Sequence, residues 1–397
     1  MRLILSRSII LLTLLTIPNL LITSILKAQV LPGSMRAAEY FPLLKDKKVG
    51  LVVNQTSVLG KMHLVDTLKH CGYFVAKIFA PEHGFRGDKE AGKEIKNSID
   101  KKTKLPIVSL YGEHKKPSQE DMQGIDVMVF DIQDVGCRFY TYLSTLHYLM
   151  EACAESKVPL LVLDRPNPNG YYIDGPVLDS NFKSFVGMHP VPIVYGMSIG
   201  EYAKMINGEH WLKGGIQCSL NVIPCYNYKH DTWYVPPIPP SPNLRTIESI
   251  YLYPSLCLFE GTDVSVGRGT DKPFEIIGKP GFEKGRITFK PKSIKGIADN
   301  PPYEGVECKG FPLTQFCNSF IKPSCRIYLL WLQGFYLESD TTKFFNPFFD
   351  KLAGTDKLRK DIMTKRTVDQ IYQSWEPQLI EFSKVRAKYL IYPDFGD

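Results

Sequence analysis

Three polar clusters in this 397-residue chain each follow directly on a short apolar run. Ala80-Pro81-Glu82-His83-Gly84-Phe85-Arg86-Gly87 follows Phe79, Asp131 to Tyr140 follows Phe130, and Asp164-Arg165-Pro166-Asn167-Pro168 follows Leu163. Glu82 and His83 form the sharpest pair. A carboxyl flanked by apolar Pro81 and Phe85 has the surroundings that favour its protonated form, which a general acid requires; the competing reading is an ion pair of Glu82 with Arg86. Asp131, Asp134 and Arg138 admit two readings as well. Carboxylates can hold sugar hydroxyls and a guanidinium can take a carboxylate through two parallel hydrogen bonds, or the three can form a buried network that fixes the loop. Asp164, Arg165 and Asn167 pose the same choice, with two prolines favouring a turn.

Other motifs compete. Gly196-Met197-Ser198-Ile199-Gly200 matches G-x-S-x-G between an apolar run and a helical pattern, the setting of a serine nucleophile. Only His210 and His230 follow it, however, and Ser198 with Glu201 also spells a capping box. His83, His114 and His147 are isolated and there is no H-E-x-x-H, so no metal is expected. Arg268 between Gly267 and Gly269 could sit in a backbone concavity that takes an anion, or in an ordinary glycine turn. No G-x-G-x-x-G is present in the first 225 residues, so no nucleotide cofactor is expected.

The clusters need a frame. Seven apolar runs (Val49–Val53, Phe74–Phe79, Leu105–Leu110, Asp126–Phe130, Pro159–Leu163, Val191–Tyr195 and Cys218–Ile223) are mostly continuous, as strands buried on both faces should be. Helical patterns lie between some of them, at Lys61–Lys69, Thr141–Lys157 and Ser198–Leu212. This alternation predicts a doubly wound α/β sheet, whose strand C-termini share one edge and place the polar clusters along one cleft. The charged, aperiodic stretch Asp88–Lys104 reads as a long loop of the kind that covers or binds. The proline-rich segment Val235–Pro242 predicts a domain junction, with residues 29–238 before it and a smaller α+β domain, 239–397, after it. Helices are expected there at Lys351–Thr364 and Thr367–Lys388.

Composition narrows the class. The 44% hydrophobic content excludes disorder and a polytopic membrane protein, and the net charge of +7 contains no basic block, which argues against nucleic acid as a partner. Residues 1–28, with Arg2 and Arg7 ahead of an apolar stretch and ending in Leu26-Lys27-Ala28, read as an export signal cleaved before Gln29, leaving no stable membrane span. Nine cysteines with no C-x-x-C predict mostly buried free thiols.

Taken in order, Pro81–Gly87, Asp131–Tyr142, Asp164–Gly170, Tyr195–Glu201, Pro240–Asn243 and Glu260–Thr270 resemble the exo-β-N-acetylmuramidase family of the NamZ type, across essentially the whole chain after residue 28. The resemblance implies a Rossmann-like, mostly parallel sheet domain, a smaller second domain and a cleft between them. It further implies removal of N-acetylmuramic acid (MurNAc) from the non-reducing ends of peptidoglycan fragments by a bacterial, exported enzyme, periplasmic or secreted. The family's proposed catalytic glutamate matches Glu82. On that reading His83 tunes Glu82, and Asp131 or Asp134 activates water unless the substrate's own acetamido group attacks. Gln133, Asp134, Arg138, Tyr140, Asp164, Arg165, Asn167, Asn243, Glu260 and Arg268 are the substrate-binding candidates, with Arg138 or Arg268 facing the lactyl carboxylate. A periplasmic muropeptide-binding protein without turnover, and less favourably a serine esterase using Ser198, are the alternatives.

Overall fold

The computed structural model describes residues 29–82, 84–86 and 98–396. His83, the expected export segment 1–28 and the part of the expected long loop up to residue 97 lie outside the described residues. The first half builds a seven-stranded sheet. In chain order come β1 (Val49–Val53), a small hairpin of β2 (Val58–Leu59) and β3 (Met62–His63), β4 (Val75–Ala80), β5 (Ser98–Ile99), β6 (Pro106–Ser109), β7 (Val127–Asp131), β8 (Leu160–Leu163) and β9 (Leu220–Ile223). The sheet order is β5-β6-β4-β1-β7-β8-β9, parallel throughout except for β5 at the edge. The six parallel strands thus follow the doubly wound order that reverses at the first strand. The reversal, between β1 and β7, opens a crevice at the strand C-termini.

Both faces of this sheet are covered, which is why its strands are apolar without alternation. Leu51, Val53, Ile78, Val129 and Leu161 point to one core, closed by α1 (Ala37–Leu44) and α2 (Leu64–His70). Val52, Phe79, Met128, Phe130 and Val162 point to the other, larger one. That core takes in α4 (Tyr142–Ser156) and α5 (Ile199–Gly208), with the short α3 (Gln119–Met122) at its margin, and continues without a break into the second half through Leu252, Phe259 and Phe349. The second half begins at α6 (Ile247–Leu256) and holds a three-stranded antiparallel sheet of β10 (Ile276–Lys279), β12 (Cys308–Pro312) and β11 (Ile287–Phe289), followed by helices.

Two expectations are corrected. Val191–Tyr195 is buried but is not a sheet strand; it makes only isolated bridges, from Val194 to Cys137 and Asp174. Pro190 and Pro192 remove two of the backbone donors that a ladder there would need. The helical stretch expected over Lys351–Thr364 is two helices, Phe348–Ala353 and Lys357–Met363, broken at Gly354 with φ +73°. All nine cysteines are free, and only Cys71 and Cys325 are exposed.

Two buried arginines hold the loops at the crevice. Arg165 grips Asp131 at the end of β7 with two bonds, Nε to Oδ1 at 2.6 Å and Nη2 to Oδ2 at 3.0 Å, and both side chains are shut away from solvent. Arg138 has no carboxylate. Its Nη1 donates to the carbonyls of Pro176 and Val191, both at 2.7 Å, and its Nη2 to those of Leu352 (3.0 Å) and Ala353 (2.7 Å). One guanidinium therefore joins the first half to the second. Gly354 is required beside it: a Cβ there would stand 2.5 Å from Arg138 Nη2.

Removing either partner should show in urea denaturation followed by tryptophan fluorescence. Asp131→Asn leaves the Arg165 charge buried without its anion and is expected to cost about 3–5 kcal/mol. Arg138→Ala removes a donor from four carbonyls, of which Val191 still accepts from the Leu178 amide, and should cost at least about 3 kcal/mol at roughly 1–3 kcal/mol per unsatisfied buried group; Arg138→Lys, with fewer donors and no planar fork, should fall between.

Candidate active site

The cleft predicted at the strand C-termini exists, as a pocket of about 240 Å³ closed by both halves of the chain. From the first half come Glu82 after β4, Tyr111 after β6, and Phe139 to Tyr142 after β7. From the second come Ser241 to Leu244 (less Pro242), then Glu260, Arg268 and Phe274. The proline-rich segment is pinned against the sheet by Gln55 Nε2, which donates to the Pro239 and Pro240 carbonyls at 3.2 and 3.1 Å, and by Tyr140, whose hydroxyl donates to Pro240 at 2.8 Å. This anchoring carries Asn243 to the pocket wall.

The two carboxylates lining the pocket have different partners. Glu82 Oε2 accepts a hydrogen bond from the Thr141 hydroxyl at 2.9 Å. The structural alternative for Glu82 does not hold, because Arg86 turns away to Asp100 (3.0 Å) and Asp66 (3.4 Å). Glu260, in the 3₁₀ turn Cys257–Gly261, accepts from Arg268 Nε on Oε1 and from the Cys257 thiol at 3.6 Å on Oε2. Arg268 lies over the Phe274 ring, 5.2 Å from its centroid, and is the one cation among the described lining residues. Asn243 donates Nδ2 to the Ile297 carbonyl at 2.9 Å, which fixes the amide orientation and leaves the buried Oδ1 without a protein partner. Burial, reinforced by Tyr142, Asp134 and Glu82, pushes the Tyr140 phenol well above its usual range, and burial and Glu82 raise Tyr142 too. Both therefore carry their protons at neutral pH.

Of the residues singled out from sequence, the pocket brings together Glu82, Tyr140, Asn243, Glu260 and Arg268. The others sit behind it. Asp131 and Arg165 satisfy each other. Gln133 Nε2 donates to the Asp134 and Pro166 carbonyls, each at 2.8 Å. Asp134 accepts from the Tyr195 hydroxyl and the Gly136 amide, and burial raises its pKa to about 6. Arg138 is spent on four carbonyls, and burial lowers its pKa to about 9. Asp164 accepts from Ser198 (2.6 Å), Tyr392 (2.5 Å) and the Arg165 and Gly200 amides. Asn167 donates Nδ2 to Met197 and accepts from the Asn169 amide. These are the buried-network readings of each cluster.

Ser198 is no nucleophile in this geometry. It is wholly buried, caps α5 reciprocally with Glu201, and gives its hydroxyl proton to Asp164. His230 instead pairs with Glu201 at 3.1 Å. Residues that the sequence reading did not single out are Thr141, Tyr142, Tyr111 and Ser241. Tyr111 directly follows an apolar run, so the positional rule that marked Glu82 would have found it; Thr141 was hidden by its place at the start of a helix. A larger cavity, about 620 Å³, lies between the helix Leu330–Leu337 and the start of the helix Val368–Ala387. Its wall is mainly apolar, with Asp369 as its one carboxylate, so it lacks the paired acids of the smaller pocket.

Comparison with known proteins agrees with this architecture. Residues 49–248 match the model of the exo-β-N-acetylmuramidase NamZ N-terminal domain, and residues 251–392 match that of the C-terminal domain. The peptidoglycan β-N-acetylmuramidase NamZ of Bacillus subtilis (strain 168) is 39% identical over 381 residues, covering 89% of each chain. Two crystal structures of DUF1343 family proteins from Bacteroides fragilis NCTC 9343 superpose on the chain. One has a TM-score of 0.86 at 45% identity, covering 92% of this chain and 100% of that one. The other has a TM-score of 0.77 at 27% identity, covering 91% and 99%. With both domain models matched in order around a pocket closed by both halves, the chain belongs to the exo-β-N-acetylmuramidase NamZ family.

Proposed function

We propose that this chain hydrolyses the terminal β-linked MurNAc from peptidoglycan fragments such as MurNAc-GlcNAc, with Glu82 as the general acid. The observation that carries the role of Glu82 is the contrast between the two pocket carboxylates. Glu260 is engaged by the Arg268 cation, whereas the hydrogen bond to Glu82 comes from the neutral hydroxyl of Thr141. A carboxyl held by a neutral donor can carry a proton and release it to the leaving glycosidic oxygen. The Thr141 bond occupies Oε2 and directs Oε1 as the atom that hands over the proton.

The second group is assigned differently from the sequence expectation. Asp131 is closed in its ion pair and Asp134 lies behind the wall, so neither lines the pocket. Glu260 already accepts from Arg268 and Cys257. The reading best supported is attack by the substrate's own acetamido oxygen on the anomeric carbon as Glu82 protonates the departing oxygen. Water then adds to that carbon as its bond to the acetamido oxygen breaks, which restores the acetamido group, and the water's proton passes to the Glu82 carboxylate. The buried Asn243 carbonyl oxygen offers an acceptor that could hold the acetamido N–H and orient the group. We also propose that residues 1–28 direct export, which brings the enzyme to peptidoglycan fragments outside the cytoplasm; N-terminal sequencing of the exported protein should then begin at Gln29.

The decisive experiment follows free MurNAc by mass spectrometry from MurNAc-GlcNAc with residues 29–397. The wild-type chain should release it and Glu82→Gln should lower kcat by about 10²–10⁴-fold, the usual contribution of a positioned general acid. Undiminished release by Glu82→Gln would move the acid elsewhere, and binding without release by either form would identify a binding protein. Thr141→Val should lower kcat by a smaller factor, roughly 5-fold for the loss of one hydrogen bond of about 1 kcal/mol. Ser198→Ala should leave kcat unchanged while costing about 1–2 kcal/mol of stability as a lost cap and a lost donor to Asp164; loss of turnover in that variant would revive the esterase alternative.

A further inference from the structure

Arg268, the one cation among the described lining residues of the pocket, is held from several sides. Arg268 sits between two glycines in left-handed conformations, Gly267 at φ +78° and Gly269 at φ +80°. Neither position admits a side chain. A Cβ on Gly267 would meet Ile276 Cγ1 at 2.6 Å and the Lys272 carbonyl at 2.7 Å; one on Gly269 would meet Pro301 Cγ at 2.5 Å and the Lys292 carbonyl at 2.6 Å. The backbone of Arg268 is thus pinned on both sides. Its side chain is pinned as well, by Glu260 at Nε and by the Phe274 ring beneath it.

These restraints use one edge and one face of the guanidinium. The end edge, formed by Nη1 and Nη2, makes no hydrogen bond to any described residue, and about a quarter of the side chain is accessible (26%). An edge of that kind matches a carboxylate, which it can bind with two parallel N–H···O bonds. The carboxyl groups in the described wall are those of Glu82 and Glu260. Without the Arg268 edge an anionic sugar would meet only carboxyl groups, a repulsive arrangement. Arg138, the other cation considered from sequence, has both Nη atoms committed to backbone carbonyls and cannot serve.

We propose that Arg268, set by Glu260, reads the carboxylate of the 3-O-lactyl group on the terminal sugar and is the residue by which the pocket prefers a muramic acid terminus to a glucosamine one. The proposal rests on the muramidase reading of the same pocket. Its ligand class is an N-acetylated hexosamine carrying an ether-linked carboxylate. The neutral N-acetylhexosamine lacks only that contact.

The test measures kcat/KM for MurNAc-GlcNAc and GlcNAc-GlcNAc, and calorimetric binding of free MurNAc and free GlcNAc, with the full exported chain. Arg268→Met should lower kcat/KM for MurNAc-GlcNAc by roughly 10- to 100-fold, chiefly through KM, as expected for a charge-assisted pair. It should leave GlcNAc-GlcNAc within about 3-fold, so that the preference collapses. Arg268→Lys should restore part of the preference, since an ammonium keeps the charge but not the fork. Glu260→Gln keeps the cation and loosens it; a several-fold rise in KM for the MurNAc substrate alone, with an unchanged circular dichroism spectrum, supports the assignment even where Arg268→Met fails to fold. Retained preference in Arg268→Met, or equal losses on both substrates, overturns it. A wild-type chain that binds MurNAc over GlcNAc through Arg268 yet releases nothing keeps this inference and removes the turnover reading. A wild-type chain that neither hydrolyses MurNAc-GlcNAc nor binds free MurNAc overturns both.

Discussion

The buried guanidinium of Arg138 ties the two halves of this molecule together beside the pocket wall, alongside a second buried arginine, Arg386, which donates to the Gly196 carbonyl. Arg138 donates to Pro176 and Val191 on one side and to Leu352 and Ala353 on the other. Burying such a charge without a carboxylate costs several kcal/mol, and the cost is visible in the direction of its pKa, which burial lowers to about 9. The cation still carries its proton at neutral pH, and hydrogen bonds to a charged donor recover about 1.5–3 kcal/mol each. What the arrangement gains is definition: a planar fork with four fixed acceptors tolerates one relative placement of the segments it joins. Leu352, whose carbonyl it holds, also forms part of the pocket wall. The pocket therefore depends on how the two halves are joined and not on either half alone.

The segment after β7 shows how one stretch of chain serves scaffold and site together. Asp131 ends the strand inside its ion pair with Arg165, and Asp134 is buried beside Tyr195. Past Arg138 the chain emerges as Tyr140, Thr141 and Tyr142, which meet Glu82 at the pocket. The buried polar groups upstream are the reason the later ones are rigid. The hydrogen bonds they make are to partners within the fold, so the tyrosines and the threonine enter the cleft on a backbone with little freedom to move, as a preorganised site requires.

This layering explains what could be read from the sequence. The positional rule located the cleft, because continuous apolar strands and the polar residues that follow them are properties of residue type and order. It failed to separate Asp131 from Glu82, because both are carboxylates at strand ends and the difference is a partner supplied from elsewhere: Arg165 for one, Thr141 for the other. Arg138 and Arg268 were equivalent candidates for the same reason. Only the three-dimensional arrangement shows that one faces four carbonyls and the other faces the pocket. Val191–Tyr195 carries the apolar signature of a strand, and the two prolines that deny it a ladder were legible but outweighed by hydrophobicity. In the G-x-S-x-G of residues 196–200 the motif was right about the strand-to-helix turn and silent about chemistry. The serine oxygen that would be exposed in a hydrolase elbow is here turned inward to Asp164, and a helix cap is what remains of the pattern.

The pocket's electrostatics follow from the same division of partners. Two carboxylates and one guanidinium line it, and the fold gives them unequal company. Had Arg268 been placed to face Glu82, the cation would have held that carboxyl in its ionised form, the one a proton donor must avoid. The glycines at 267 and 269 and the ring of Phe274 set Arg268 instead toward Glu260. That leaves a neutral hydroxyl for Glu82 and an unspent edge on the cation. Acid chemistry and anion recognition thus coexist within one small cavity because the charges that would cancel them are paired in advance, one carboxylate to one nitrogen, before any sugar arrives.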